Sequence, residues 1–284
     1  MRKTITTLVA ATIAGIFVCR PAHRPLLPPD LRDAVTDVDT PRPALKQLQS
    51  AGLPQEIPGP PPVSAPEQVA APAVQQIKLE FDSDVPDEIQ QQMQQDIDFT
   101  GTIAATDVSP LHDNIFGPVS GTSYLRFFGS RIKSVGLSDC GSNLAVACVK
   151  PFVSSSTMWL TENYLKFHHP QIARVMVLFH ESRHTESKHH NWPHSNCPDP
   201  FHDANGNDVH SIWTGASLVG ESGACDITPF GSYGSSLIML KNIQKFCSNC
   251  TEKVAMDAGI YADDQLNRIV DPKAKQSIQD DLYK

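Results

Sequence analysis

The pentad His180-Glu-Ser-Arg-His184 is the feature that most constrains what this chain can fold into. It has the HExxH pattern, and in a helix residues i and i+4 lie one above the other on the same face. A helix through the pentad therefore lets His180 and His184 offer two imidazoles to one metal ion. Glu181 lies one position round the helix, where its carboxylate reaches a water on the metal without binding the metal itself.

The residues before the pentad predict a buried helix that follows a strand. Pro170 suits the first position of a helix, where its missing N–H costs nothing. An apolar stripe at helical spacing follows, formed by Ile172, Val175, Met176 and Phe179. Residues 157–165, just upstream, have the composition of a strand.

A strand followed by a buried helix that carries HExxH resembles the organisation of the zincin metallopeptidases. The resemblance implies a catalytic zinc ion with three protein ligands and a water. It also implies that Glu181 is the general base that takes a proton from that water.

The third ligand has several candidates, because seven of the eleven histidines lie between residues 180 and 210. His194 follows Pro193, which stiffens the chain, and precedes Cys197 by three residues. Asp226 directly follows Cys225, so a Cys197–Cys225 disulfide would bring Asp226 close to His194. We rank His194 and Asp226 level as the third metal ligand.

Resemblances within the zincins leave further alternatives open. His190 fits the metzincin spacing HExxHxxGxxH, except that Ser187 stands where that family has glycine. Residues 223–226 with 231–234 loosely resemble the aspzincin pattern of an Asp ligand and a Tyr-Gly pair, although the spacing departs from it. Glu221 lies 37 residues beyond His184, as in the gluzincins, without their helix motif. We rank His190 after His194 and Asp226, and Glu221 last.

Residues 150–265 are also similar to a group of uncharacterised exported bacterial proteins. The shared features are HExRHTE, a His-x-x-Cys-Pro string, a Cys-Asp pair and Gly-Ser-Tyr-Gly. This resemblance implies export and carries no assigned substrate.

The composition of the chain and its first 76 residues indicate its location and the kinds of partner it has. The net charge is −8 with no long basic run, which argues against a nucleic-acid partner. Residues 1–19 resemble a signal peptide, and Cys19 is a possible lipid anchor, the only expected link to a membrane. Residues 20–76 hold 13 of the 23 prolines and are expected to be a disordered linker or a cleaved pro-segment.

The cysteines support an oxidising compartment such as the periplasm, the cell envelope or the medium. Apart from Cys19, six cysteines remain, and proximity pairs Cys140 with Cys148, Cys197 with Cys225, and Cys247 with Cys250. A redox-active or zinc-binding role for Cys247-Ser-Asn-Cys250 is the alternative to a structural disulfide.

Residues 77–284 are expected to form a single zincin-like α+β domain, with the motif helix and C-terminal helices on a mixed or antiparallel sheet. Four strands are predicted before the motif: 77–81, 124–128, 132–137 and 157–165. Three helices besides the motif helix are predicted: 87–95, 236–247 and 252–270. Between them, residues 187–235 are expected to be irregular.

The sequence thus predicts an exported zinc-dependent metallopeptidase that hydrolyses amide bonds through a metal-bound water. Tyr233 is the expected donor to the oxyanion of the intermediate, by similarity to the aspzincin tyrosine, with Arg183 and Tyr164 as weaker candidates. The alternatives are a non-catalytic, histidine-rich metal-binding envelope protein and a structural domain whose HExxH is accidental. A peptide, a peptidoglycan crosslink and a small amide all remain open as substrates.

Overall fold

The structure, a computed structural model, describes residues 77–284. The predicted signal peptide, Cys19 and the proline-rich segment 20–76 lie outside the described residues. Within residues 77–284 the chain is α+β, as the sequence predicted. No helix in this part of the chain is both long and apolar enough to span a membrane.

A four-stranded mixed sheet has the strand order β1-β2-β4-β3. Its strands are β1 (Glu80–Phe81), β2 (Ser134–Leu137), β3 (Ala147–Lys150) and β4 (Ser154–Leu160). β2 pairs in parallel with β1 and with β4, whereas β3 pairs antiparallel with β4. The expected mixed sheet is therefore confirmed, and β3 forms one of its edges.

The described residues also form eight helices. They are α1 (Asp87–Thr102), α2 (Pro110–Phe116), α3 (Gly121–Gly129), α4 (Glu162–Lys166), α5 (Gln171–Arg183), α6 (Ser232–Phe246), α7 (Glu252–Asn267) and α8 (Pro272–Leu282). The motif helix α5 packs against α1, α3, α6, α7 and β3. Phe179, next to the pentad, is buried and stacks on Phe127 of α3 with the ring centroids 5.8 Å apart. The pentad therefore lies on the central helix of the fold.

The prediction of a strand at residues 124–128 is wrong, because these residues belong to helix α3. The Ser120 side chain accepts a hydrogen bond from the Ser123 amide and caps the helix. Tyr124, Phe127 and Phe128 then fall at helical spacing and are all buried. Aromatic residues favour strands only where a pleated surface packs against them, and here tertiary packing prevails.

Other element boundaries differ in smaller ways. Helix α1 starts at Asp87, as predicted, but it runs on to Thr102 instead of ending at residue 95. The strand predicted at 157–165 ends at Leu160 and is followed by the short helix α4. The last helix, α8, was not predicted; Asp271 caps it and Pro272 occupies its first turn.

The three predicted disulfides are all present: Cys140–Cys148, Cys197–Cys225 and Cys247–Cys250. They indicate an oxidising compartment. Residues 187–231 are irregular, as expected, apart from a 3₁₀ turn and isolated bridges. This region has little regular structure but contains a small hydrophobic core of its own. The buried residues of that core are Cys197, Phe201, Val209, Leu218 and Cys225.

Candidate metal centre

Helix α5 presents both histidines of the pentad to the same side. The regular helix ends at Arg183, and His184 keeps helical backbone angles (φ −66°, ψ −4°). His180 and His184 are therefore one turn apart, as helical spacing predicted. Both side chains border a cleft of about 360 Å³ whose other wall includes β3.

His194 completes a group of three imidazoles. Its Nε2 lies 3.2 Å from Nε2 of His180 and 3.0 Å from Nε2 of His184. One nitrogen from each of the three rings lies within 4.8 Å of the others, so the group could hold a metal ion. Of the four candidates for the third position, His194 is the one that the structure brings to the pentad.

Two local features of the irregular region bring His194 to the pentad. Residues 190–192 all have left-handed backbone angles (φ 53°, 59° and 46°), which turn the chain back after helix α5. The Cys197–Cys225 disulfide then ties the returning segment down, and Ser195 and Cys225 exchange backbone hydrogen bonds. The chain reversal that glycine provides in the metzincin pattern is made here by three residues after Ser187.

Asp226 lies behind His194 and is not part of the group of three. Its Oδ1 accepts a hydrogen bond of 2.8 Å from Nδ1 of His194, and its Oδ2 accepts one of 2.9 Å from the Tyr233 amide. The structure therefore does not group Asp226 with the three imidazoles, and a ligand role for it stays a prediction. Both of its carboxylate oxygens are engaged on the far side of the His194 ring, a position that suits a residue that orients the imidazole.

Gly231 allows this carboxylate to approach helix α6. A Cβ atom built at Gly231 would lie 2.3 Å from Oδ2 of Asp226, and one built at Gly234 would lie 2.4 Å from the carbonyl oxygen of Pro229. Both glycines of the Gly-Ser-Tyr-Gly string are thus required by close packing. The string leaves room for the Asp226 carboxylate at the start of α6, where free backbone amides favour a negative charge.

In His184 and His194, the hydrogen bond made by Nδ1 determines whether Nε2 carries a hydrogen. Nδ1 of His184 lies 2.9 Å from the carbonyl oxygen of Asn191, which can only accept, so this nitrogen carries a hydrogen. Nδ1 of His194 carries a hydrogen for the same reason, because it donates to Asp226. In the neutral rings, the two Nε2 atoms that face each other at 3.0 Å are then both acceptors. A positive species between them is needed to make this contact favourable.

Protonation of His180 or His184 is a poor source of that charge. Burial, together with the neighbouring His194, lowers the pKa of His184 to about 4. Burial also lowers the pKa of His180 well below its usual range. A metal cation would satisfy the lone pairs of His184 and His194 at once, and Nε2 of His180 is near enough to join them.

Glu181 is buried beside the group, with 4 % of its surface exposed. Its Oε2 is fully enclosed and has no hydrogen-bond partner within residues 77–284. Burial raises the pKa of Glu181 to about 8, and the backbone amide of Val149 on β3 opposes this shift in part. A carboxyl group of this kind is suited to accept and release a proton near neutral pH.

Tyr233 lies against the histidines from the start of α6. Its ring centroid is 4.6 Å from those of His180 and His194. The Tyr233 hydroxyl accepts a hydrogen bond of 3.2 Å from Nη1 of Arg268, so its own proton is directed elsewhere. Burial raises the pKa of Tyr233, which keeps the phenol protonated at neutral pH.

The remaining candidates lie apart from the three imidazoles. His190 is exposed, and Glu221 lines the cleft without joining the group. Arg183 forms an ion pair with Glu186, at 2.8 Å, and also donates to the carbonyl oxygen of Phe230. Tyr164 lines a different cavity, where its enclosed hydroxyl has no partner within the described residues.

Sequence reasoning missed two residues of this site, Asn191 and Arg268. Asn191 acts through a backbone carbonyl, which no side-chain motif reveals. Arg268 forms an i,i+4 ion pair with Asp264 across the end of α7, at 3.4 Å. The i,i+4 spacing can be read from the sequence. The burial of Arg268, which distinguishes this pair from an ordinary surface pair, cannot.

Comparison of the chain with protein-family models, curated proteins and solved structures found no match in any of the three. The resemblance to the zincins therefore stays a prediction from the pentad.

Proposed function

We propose that this protein is an exported zinc-dependent metallopeptidase of the zincin type. In this proposal His180, His184 and His194 hold the zinc ion and Glu181 is the general base. The observation that carries the proposal is the pair of imidazole acceptors that face each other at 3.0 Å, with an enclosed, unpartnered carboxylate oxygen beside them. The three disulfides in residues 77–284 support export to an oxidising compartment.

The donor set fits zinc. Three neutral imidazoles with one position left open are a recurrent set for catalytic zinc. Tetrahedral coordination with Zn–N bonds of about 2.05 Å requires ligand nitrogens about 3.3 Å apart. The separations of 3.0 and 3.2 Å are close to that value, so little movement of the rings is needed. When bound, zinc supplies Lewis acidity at the open position of the cleft.

The chain's own residues support amide hydrolysis in particular. Glu181 accepts a proton from the attacking water and passes it to the leaving amine, since its carboxylate is held beside the histidines and bound to little else. The Tyr233 hydroxyl donates to the oxyanion of the tetrahedral intermediate, because Arg268 occupies its acceptor side. A purely metal-binding protein has no use for these two groups.

Replacing Glu181 with Gln tests the proposal directly. We expect the Glu181→Gln protein to retain the zinc content of the wild type and to lose at least about 100-fold in peptide hydrolysis, the lower range for a general base. The measurements are elemental analysis and turnover of a fluorogenic peptide library. Glu221→Gln is a matched control that lines the same cleft, and we expect it to retain both zinc and activity.

The outcomes separate the proposal from its alternatives. Full activity of Glu181→Gln would exclude general-base catalysis by this residue. Tight zinc uptake without hydrolysis of any peptide would favour a non-catalytic metal-binding protein. A purified wild-type protein that takes up no metal would leave the HExxH pentad without a role.

A further inference from the structure

Arg268 lies in the wall of the cleft with only 6 % of its surface exposed. Its Nε lies 3.4 Å from Oδ2 of Asp264, and its Nη1 donates to the carbonyl oxygen of Ala224 at 3.3 Å and to the Tyr233 hydroxyl at 3.2 Å. These contacts hold the guanidinium in one orientation. It is the sole arginine or lysine among the described residues that line this cleft.

One nitrogen of this guanidinium is left for a ligand. A guanidinium has five N–H donors, and two of them are on Nη2. Nη2 has no acceptor among residues 77–284, yet it is not one of the fully enclosed atoms that lack a partner. Nη2 is thus not sealed off, and it belongs to a side chain that lines the cleft.

The ion pair with Asp264 holds Arg268 in place and leaves this nitrogen uncovered. Oδ1 of Asp264 already accepts from the Ile212 amide at 3.0 Å, and Oδ2 accepts from the Gln265 side chain at 2.8 Å. Asp264 is thus fixed by three donors and meets the guanidinium at Nε. An arginine held in this way is pre-organised to bind an anion with its remaining edge.

We infer that Arg268 binds a carboxylate of the substrate, next to the amide bond that is cleaved. The inference depends on the proposed function for the identity of that bond. A single negative charge suits the site better than a phosphate dianion, because Arg268 is the one basic side chain of the cleft and the acidic side chains of Glu221 and Asp264 line it as well. The carboxylate can come from a free peptide C-terminus or from an acidic side chain.

Binding of dansylated tripeptides tests the inference without turnover. The protein is zinc-loaded Glu181→Gln. The first probe pair is dansyl-Ala-Ala-Phe with a free C-terminus and its C-terminal amide. The second pair is dansyl-Ala-Asp-Phe-amide and dansyl-Ala-Asn-Phe-amide. We expect the carboxylate probe of one pair to bind about tenfold or more tightly, as for a charge-assisted hydrogen bond. The pair that shows the preference identifies the source of the carboxylate.

Arg268→Gln in the same background is expected to abolish this preference and to leave the affinity of the uncharged probes within about twofold, because those probes offer no carboxylate to the guanidinium. Lys188→Gln removes one positive charge from an exposed position outside the cleft and is the matched control for net charge. Arg268→Lys, which keeps the charge and loses the planar fork, is expected to retain part of the preference. Zinc content and circular dichroism check the fold of each variant.

The inference is overturned if neither pair shows a preference, or if the preference survives in Arg268→Gln. The comparison of the probes in zinc-loaded Glu181→Gln needs no substitution at Arg268. Its result therefore holds even if an Arg268 variant fails to fold. If wild-type protein hydrolyses no peptide but the Arg268-dependent preference is present, the proposed function fails and the anion site stands. If peptides are hydrolysed and the preference is absent or independent of Arg268, the anion site alone fails.

Discussion

Helix α5 and the irregular region between residues 187 and 231 hold parts of the same candidate metal centre by different means. The helix places His180 and His184 by its periodicity, and it is buried among other helices and β3. The irregular region places His194 by a disulfide, by left-handed backbone angles and by the bond from His194 to Asp226. A regular element thus needs only its spacing to position a ligand, whereas an irregular one needs several separate restraints.

Removing one ligand from each region gives the largest expected effect. Dividing a zinc-binding free energy of about 10–16 kcal/mol among three ligands gives roughly 3–5 kcal/mol for each. We therefore expect His184→Ala and His194→Ala to weaken zinc binding by similar amounts, as measured by competition with a chelator. A much smaller loss at His194 would show that the irregular region does not hold its ligand as firmly as the helix does.

The control for this comparison is His190→Asn. His190 is exposed, outside the group, and has a left-handed backbone that asparagine tolerates. We expect unchanged zinc affinity, and a clear loss would return His190 to the list of ligands.

The Cys197–Cys225 disulfide restrains the segment that carries His194, whereas helix α5 positions its histidines without a disulfide. It closes a sequence separation of 28 residues, for which the chain-entropy model gives about 3–4 kcal/mol of stability. We expect the Cys197→Ser, Cys225→Ser protein to unfold at lower urea concentration and to bind zinc less tightly, because His194 is freed. The same double substitution at Cys247 and Cys250, separated by three residues and away from the cleft, should cost about 2 kcal/mol and leave zinc affinity unchanged. Equal zinc affinities in the two proteins would mean that other contacts alone hold His194.

The same contrast explains what could be predicted from the sequence. His180, Glu181 and His184 followed from helical spacing, which is a local property. His194 could only be narrowed down, because its place depends on a disulfide between distant residues. Asp226 was predicted near His194 for the same reason, but spacing cannot show which side of an imidazole a carboxylate meets.

The contacts that lay beyond prediction are those between elements far apart in the chain. Arg268 meets Tyr233 across 35 residues, between the ends of two helices. The aromatic residues at 124–128 fit a strand pattern and a helix pattern equally well in isolation. Their burial against Phe179 decides for the helix, and that information belongs to the whole fold.

The regular part of the molecule also contains a buried histidine that needs no metal. Nδ1 of His112 lies 2.9 Å from the carbonyl oxygen of Gly117, and its Nε2 lies 2.8 Å from the Tyr124 hydroxyl. Burial lowers the pKa of His112 to about 4. The unfolded chain therefore binds a proton below its ordinary pKa of about 6.5 while the folded chain does not, so this contribution to stability is present above that pH and is lost as the pH falls toward 4.

We expect His112 to account for about 3 kcal/mol of the loss of unfolding free energy between pH 7 and pH 4, from 1.36 kcal/mol per pKa unit. His112→Asn cannot be protonated and should show a shallower dependence on pH over this range. Urea unfolding of metal-free protein at several pH values measures both slopes, and the difference between them removes the contribution of other groups. Parallel slopes would mean that His112 is charged in the folded protein.

The smallest expected effect concerns the bond that orients His194. We expect Asp226→Asn to weaken zinc binding about 10- to 100-fold, the usual range for a residue that holds a metal ligand through a hydrogen bond. Asp208→Asn makes the same change on an exposed carboxylate of the irregular region and should have no effect. Gly231→Ala keeps the charge but places a Cβ where Oδ2 of Asp226 now lies, so it should weaken zinc binding by displacing the carboxylate. If Asp226→Asn weakened binding and Gly231→Ala did not, the charge of Asp226 would matter and its position would not. The two regions would then differ less in how they hold a ligand than the geometry indicates.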